Sequence, residues 1–469
     1  MFSKWEFFKD SYNGGEDYNN AHLFQYFKEG NEEFKERKKR AYRENHSRRV
    51  VDLVNSYIFK EEVKRKSTNK LVTGFLENYD GKGKTANQFM KGASLWASVL
   101  GRVYVVMDKK ALPEDEQTGT QKDNINPNAQ PYCYIVYPQD VLDIAFDDNG
   151  KVKWALIKES KRDDDDPFES SGNVKDVFRL WMPGQWLLFN EKGEQADQGE
   201  TGLSIVPIAM LDNEEKDAYS GSSLIGDIAY LDRAIFNNWS RLDVIVNDQT
   251  FSQLIFPIEG LPSDIVDNED LRKKFLTLAT NRILLYSAMA QVAPAFISPD
   301  ASQADFILKM IERQVKQLYS SMGLKSEIGE EITAESGVAK AYDFDKLNKL
   351  LAGKADNCEQ CENDLVEIFG HWVGAKNVDC EIDYPDEFDV KTLADEIALA
   401  QELTLLDISK TFEKEVKKAV ALKTLPKLDE KTMRVILDEI DARIEDEDEA
   451  AKKGNFDFDE DKEDRDKAA

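Results

Sequence analysis

Residues 223–249 read SLIGDIAYLDRAIFNNWSRLDVIVNDQ, and residues 301–322 read ASQADFILKMIERQVKQLYSSM. In the first stretch Leu224, Ile228, Leu231, Ile235, Trp239, Leu242 and Val246 recur at steps of three and four, which puts them on one stripe of a helix. Asp227, Asp232, Arg233, Arg241, Asp243 and Asp248 fall on the opposite side. In the second stretch Phe306, Met310, Ile311, Val315 and Leu318 make the stripe, with Asp305, Lys309, Glu312, Arg313 and Lys316 elsewhere. A helix of about 26 residues is roughly 39 Å long at a rise near 1.5 Å per residue, longer than most globular helices. Two such helices of similar length can lie antiparallel as a hairpin. Trp239, if enclosed in that hairpin, is expected to carry about 3 to 5 kcal/mol.

Between them lies a small mixed module. Residues 251–258 read as a strand, 268–279 as a helix, and 281–286 with 292–297 as further strands. So small a unit leaves strand edges bare unless neighbours pair with them. Residues 323–335 hold Lys325, Glu327, Glu330, Glu331 and two glycines, with no apolar face. A third long helix follows over 346–373 through Leu347, Leu350, Leu351, Cys358, Leu365, Ile368, Phe369 and Trp372. Residues 378–385 then alternate as a strand returning to the β-rich region, and helical patterns cover 390–406, 412–422 and 430–445.

Upstream, residues 23–43 are densely charged and predict a solvated helix or arm, while 47–59 carry Val50, Val51, Leu53, Val54, Tyr57 and Ile58 at helical spacing. Residues 86–100 make another amphipathic helix. From Gly101 the period changes to two over 102–107, 131–137, 152–158, 174–181 and 185–190, with turn signals at 147–150 and 190–193 and a polar link over 113–128. The chain is helical first, then β-rich, then helical again.

A length of 469 residues implies about two to four structural units. The formal charge of −28, from 90 Asp plus Glu against 62 Lys plus Arg, disfavours tight phosphate gripping but not a passage through which DNA slides. Cysteines at 133, 358, 361 and 380 make no disulfide framework, and Cys358-x-x-Cys361 lies in a helical pattern without the further ligands that zinc requires. The run Asp163–Asp166 points its carboxylates in alternating directions and reads as a hairpin tip, not a metal loop. Residues 1–10 hold no apolar run of signal-peptide length and no stretch reaches membrane-spanning length, so assembly in the cytoplasm is expected. There is no phosphate-binding loop, nucleophile elbow or His-Glu-x-x-His, and His22, His46 and His371 are scattered. No cofactor is expected and the chain is read as non-enzymatic. Residues 446–469 are acidic and almost without apolar side chains, so they are expected to stay unordered alone.

The hairpin with a module at its tip, followed by Glu335-Ser336-Gly337-Val338-Ala339-Lys340 ahead of a long helix, resembles the portal proteins of tailed bacteriophages. Residues 137–152, with a proline-containing strand end before a hairpin, resemble portal wing sequences. The resemblance implies an α+β, portal-type ring subunit with a β-rich wing (1–222), a long-helix stem (223–250 and 301–322) and a small α/β clip (251–300). It further implies a tunnel loop (323–336), a helix and strand returning to the wing (337–389), a helical C-terminal crown (390–445) and an acidic tail (446–469). About twelve copies would close into a ring at one capsid vertex, a homo-oligomer with repeated heterologous contacts. Implied partners are the large subunit of a separate terminase motor, a head-completion or adaptor protein and a major capsid or scaffolding protein. Double-stranded DNA would pass the channel without sequence specificity. The implied place is the virion.

Channel-lining candidates are Asp232, Asp243 and Glu312 on the stem and Lys325, Glu327, Glu330 and Glu331 on the loop. Clip candidates for docking are Phe256, Glu259, Asp264, Asp267, Lys273 and Lys274. Two other classes fit the composition: a different head-tail connector, which should lack a clip between two long helices, and a metal-dependent acidic hydrolase or nuclease.

Overall fold

The computed structural model describes residues 2–109, 130–162, 168, 170–250, 253–257, 268–270, 283–286, 295–297, 301–324, 337–375, 378–386, 388, 410–424 and 431–442. Two compact units are present, Met1–Phe388 and Asp389–Ala469. The first opens with helices α1 (Phe2–Asn13), α2 (Gly15–His22), α3 (Asn31–Arg40) and α4 (His46–Ile58). Asn45 starts α4, its side chain accepting the Arg48 backbone N–H at 2.9 Å and so satisfying one free donor of the first turn. A short strand β1 (Lys64–Lys66) and helix α5 (Lys70–Glu77) lead to α6 (Ala86–Leu100). Thr85 and Gln88 close a capping box at the start of α6, and Gly101 ends it with φ 91°.

The change of period at Arg102 yields strands β2 (Arg102–Lys109), β3 (Pro131–Val136), β4 (Val141–Phe146), β5 (Val152–Arg162), β6 (Val174–Met182), β7 (Gln185–Phe189), β8 (Gln195–Glu200) and β9 (Ile208–Asp212). β2 lies between β3 and β9, antiparallel to both. Val103, Val105 and Met107 join the helical core, whereas Tyr104 and Val106 point the other way, to Ala155, Ile157 and Trp181 of the second sheet. A strand covered on both faces explains why its sequence is apolar almost without alternation. β4 to β8 form a five-stranded antiparallel meander. Its tight turns are built by short polar side chains: Asp147 Oδ1 accepts from the Asn149 and Lys151 N–H groups at 2.9 and 2.8 Å, and Asn190 Oδ1 does the same for Lys192 and Glu194 at 2.9 and 3.0 Å. The outer face of this sheet is also apolar, and Trp154, Leu156, Phe178, Leu180, Met182 and Phe189 line an open hollow of about 560 Å³. Residues 110–129 and the run Asp163–Asp166 lie outside the described residues.

A hairpin of β10 (Glu215–Asp217) and β11 (Ser220–Gly221) precedes α7 (Ile228–Thr250). β12 (Gln253–Pro257), β13 (Ile283–Tyr286) and β14 (Ala295–Ile297) make a sheet in the order β13-β12-β14, with β13 parallel and β14 antiparallel to β12. α8 (Ala301–Ser321) follows. Because β12 leaves α7, β14 leads into α8 and the two strands pair, the end of α7 meets the start of α8 and the helices run antiparallel. The expected helix over 268–279 falls almost wholly outside the described residues. Helix α9 (Gly337–Val373), 37 residues long, is about 55 Å at the standard rise and takes in the Gly337–Lys340 segment.

The returning strand β15 (Glu381–Asp383) pairs with β1, Arg65 opposite Ile382, and not with the sheets after Gly101 as its position in the chain had suggested. On the exposed side Lys64 meets Asp383 at 3.0 Å and Lys66 meets Glu381 at 3.8 Å, while between them Ile382 is buried and Arg65 pairs with the buried Glu362, which holds the two strands against the core. In the second unit α10 (Lys410–Thr424) precedes a helix α11 over 431–442. Lys414 and Lys418 both reach Asp441, at 3.2 and 2.6 Å. The helix expected over 390–406 and the acidic tail lie outside the described residues.

The backbones at Gly101 and Gly221 cross so closely that a Cβ on Gly101 would sit 2.3 Å from the Gly221 carbonyl oxygen. With φ at 91°, Gly101 combines a left-handed conformation with a backbone obstacle that cannot swing away. Gly101→Ala is expected to cost about 2 to 5 kcal/mol. Gly193→Ala, in an open turn with nothing near its Cβ position, is expected to cost clearly less. Equal midpoints for the two variants in urea unfolding would contradict this.

Candidate functional site

The α7–α8 hairpin is the candidate site, and its geometry follows from what covers the polar side of α7. The apolar side follows the spacing in part: Leu224, Ile228, Ile235 and Leu242 are buried with Phe236 beside them, Leu231 and Trp239 are half-buried and Val246 is exposed, while Ile311 and Leu318 of α8 join the same core. On α8 the packed stripe runs Ile307, Ile311, Val315, Leu318, one position on from the expected start. Phe306 is 69 % exposed. Asn238 on α7 donates to Gln314 on α8 at 3.0 Å, fixing the axial register of the pair.

The polar side is not left to solvent. Asp232 is 0 % exposed; its Oδ2 accepts the Ser47 N–H at 2.9 Å and the Ser47 hydroxyl at 2.7 Å, and is paired with Arg43. Arg43 in turn lies over the Tyr18 ring at 3.8 Å. Asn237 clamps the chain after α2 from both sides, accepting from the Phe24 N–H at 3.0 Å and donating to the His22 carbonyl at 3.1 Å. Arg37, from the charged run expected to be solvated, is 1 % exposed. It meets Glu29 through two bonds of 2.6 and 2.8 Å, donates to Ser240 on α7 at 2.9 Å and to the Phe24 carbonyl at 2.7 Å. Arg241 Nε donates to the Tyr26 hydroxyl at 2.7 Å. α4 also reaches α8, where His46 Nδ1 meets the Tyr319 hydroxyl at 3.2 Å. Burial pushes the imidazoles of His22 and His46 below their ordinary value; the His46 ring meets α8, whereas the His22 ring faces Asp10 at 3.3 Å and its carbonyl meets α7.

The expected channel-lining residues therefore separate. Asp232 faces the protein interior, a correction whose cause is the Arg43–Ser47 cage. Asp243 is half-buried, and Glu312 is exposed on α8. Lys325, Glu327, Glu330 and Glu331 lie outside the described residues, as do Glu259, Asp264, Asp267, Lys273 and Lys274. Phe256 stands in β12 opposite Leu285 of β13. Trp239 is half-buried beside Tyr42, with ring centroids 6.4 Å apart, so the full cost of an enclosed indole does not apply to it.

The long helix α9 is held by a second buried ion pair. Glu362, 0 % exposed, receives Arg65 Nε at 2.5 Å and Nη2 at 3.0 Å, and the Tyr384 hydroxyl donates to it at 2.9 Å. Cys358 and Cys361 are enclosed in the same helix. Burial pushes the Cys358 thiol up to about 11 and that of Cys361 well above its usual value. Among the described residues no group of three His, Cys, Asp or Glu side chains is placed to hold an ion, and no helix is long and apolar enough to cross a membrane.

No protein-family model matches the chain, and no curated protein does. Over 83 % of this chain and 89 % of the other it superimposes on a solved chain described as the neck of an empty GTA particle computed with C6 symmetry, at 9 % identity and a TM-score of 0.35. At that score the likeness carries no argument about fold or function.

The spacing rules missed Arg37, Arg43, Asn237 and Ser240 as partners. One signal was present: Asn237, Asn238 and Ser240 are uncharged, poor helix formers in mid-helix, where a water-facing surface would favour Lys or Glu. Asp232→Ala, which strands Arg43 inside the protein, is expected to destabilise by about 3 to 5 kcal/mol. Trp239→Ala is expected to cost less. Urea unfolding of both variants checks the order, and the reverse order would contradict the clamp.

Proposed function

We propose that the chain is the portal-type subunit of a tailed-phage particle. About twelve copies would close into a ring at one capsid vertex, and its hole would carry genomic DNA inward during packaging and outward during ejection. The observation that carries this reading is the α7–α8 hairpin, tipped by the β13-β12-β14 module and set between a β-rich part and the long helix α9. β13 and β14 have no outer strand partner among the described residues, and bare edges of this kind suit pairing between neighbouring copies. Phe306 is exposed on α8, an apolar side chain that an adjacent subunit would cover.

The mechanism is physical. α7, held on both faces, with α8 packed along it makes a stiff stem, and a net charge of −28 keeps phosphate from condensing on the wall. Glu312 is the described stem carboxylate assigned to the channel surface, and the loop carboxylates after α8 extend that assignment. A separate terminase ATPase would dock on the tip module, to be replaced by head-completion proteins. The proposal gives the chain no reaction of its own.

Native mass measurement with negative-stain microscopy of the purified protein tests it. Rings of about twelve subunits with a central hole are expected. A compact monomer at every salt concentration would overturn the reading and favour a connector of another kind or an acidic hydrolase.

A further inference from the structure

A cleft of about 1040 Å³ opens between α1, the β10–β11 hairpin, the start of α7 and α9. At its floor stands Lys354 of α9, only 4 % exposed. The ammonium donates to Ser98 Oγ on α6 at 2.7 Å and to Asn213 Oδ1, just beyond β9, at 2.6 Å. Both acceptors are neutral, and they take up two of its three N–H bonds. The acceptors are themselves fixed. The Asn213 N–H donates to the Gly101 carbonyl at 2.8 Å, its Nδ2 donates to the Ser222 carbonyl at 2.8 Å, and Asn357 Nδ2 reaches the Asn213 carbonyl at 3.3 Å.

The charge of Lys354 is unlike that of the other enclosed cations. Arg37 has Glu29, Arg43 has Asp232, Arg65 has Glu362 and Arg102 has Asp212, each at ion-pair distance. Among the described residues no carboxylate is paired with Lys354. Its nearest titratable neighbour on α9, Cys358, is kept neutral by burial, and α6 faces it with the hydroxyls of Ser94 and Ser98. Glu214, Glu215, Asp227 and Asp356 also line the cleft but are exposed, so water screens them, and the exposed Lys4 and Lys216 on the same cleft offset them. Burial lowers the Lys354 amine from 10.5 to about 8.

We propose that this cleft binds an oxyanion, a carboxylate or phosphate group, with Lys354 as its counter-charge. An oxyanion supplies the missing acceptor for the third N–H bond and the missing opposite charge in one group. The site does not depend on the ring reading, since it lies within a single subunit. Its electrostatic sign is fixed. The amine is easier to deprotonate folded than unfolded, so the unfolded chain binds more protons between about pH 8 and 10.5 and stability rises through that window. A bound oxyanion raises the folded value and flattens the rise.

Heat unfolding of the full-length protein at pH 7, in chloride, inorganic phosphate or acetate at matched ionic strength, tests the proposal. One or both oxyanions are expected to raise the melting temperature of the unmodified protein by about 3 °C or more over chloride, saturating with concentration. In Lys354→Met, whose side chain keeps the floor filled, the rise is expected to vanish. Phosphate alone acting identifies a phosphoryl ligand, acetate alone a carboxylate. No rise with either anion, or an equal rise in the variant, would overturn the site. Should the variant not fold, the rate of reductive methylation at Lys354, read by peptide mass, decides: protection by the active oxyanion is expected, and an unchanged rate refutes the proposal.

Discussion

Asp232 lies one turn into a helix whose neighbouring stripe residues Ile228 and Ile235 are buried in the core, so its carboxylate needs partners from outside that helix, and Arg43 and Ser47 supply them. An ion pair removed from water gains little net stability as a pair, because desolvation offsets the attraction. Its force lies in exclusion: any arrangement that moves α4 away from α7 leaves a charge stranded. The turn that begins α4 also carries His46 to Tyr319 on α8. One turn of one helix thus fixes both arms of the hairpin.

The second constraint is the spine formed by α9. Glu362 binds it to β1 through Arg65 and to the segment after β15 through Tyr384, while Lys354 binds it to α6 and to the loop after β9. The Arg65 and Lys354 contacts join residues more than a hundred positions apart, and Asn213, which accepts from Lys354, also donates its N–H to the Gly101 carbonyl beside the glycine crossing. The stem meets this spine where Lys346 of α9 donates to the Ser321 carbonyl of α8 at 2.7 Å.

Much of this was legible because periodicity reports burial directly. The stripes of 223–249 and 301–322 correspond to α7 and α8, and Asp147 to Gly150 and Asn190 to Gly193 turn as their residue types require. What periodicity does not report is the occupant of a polar face. Charges opposite an apolar stripe suit water, a neighbouring subunit or another part of the chain equally well, which is why Asp232 read as a channel residue. Arg37 illustrates the same gap, since nothing in Lys35-Glu36-Arg37-Lys38-Lys39-Arg40 separates the one enclosed cation from its solvated neighbours. The target of β15 was illegible for a different reason: strand pairing is decided by register and charge across more than three hundred residues, not by local pattern.

The central claim is that the clamped hairpin is the wall of a channel. A cryo-electron microscopy map of the assembled protein, resolved well enough to trace α7 and α8, tests it most directly. The account predicts the hairpin near the ring axis, the Glu312 side of α8 facing the hole and the first four helices on the outer side of α7. A map with the hairpin at the periphery, or with Asp232 released from Arg43 and open to the hole, would contradict it.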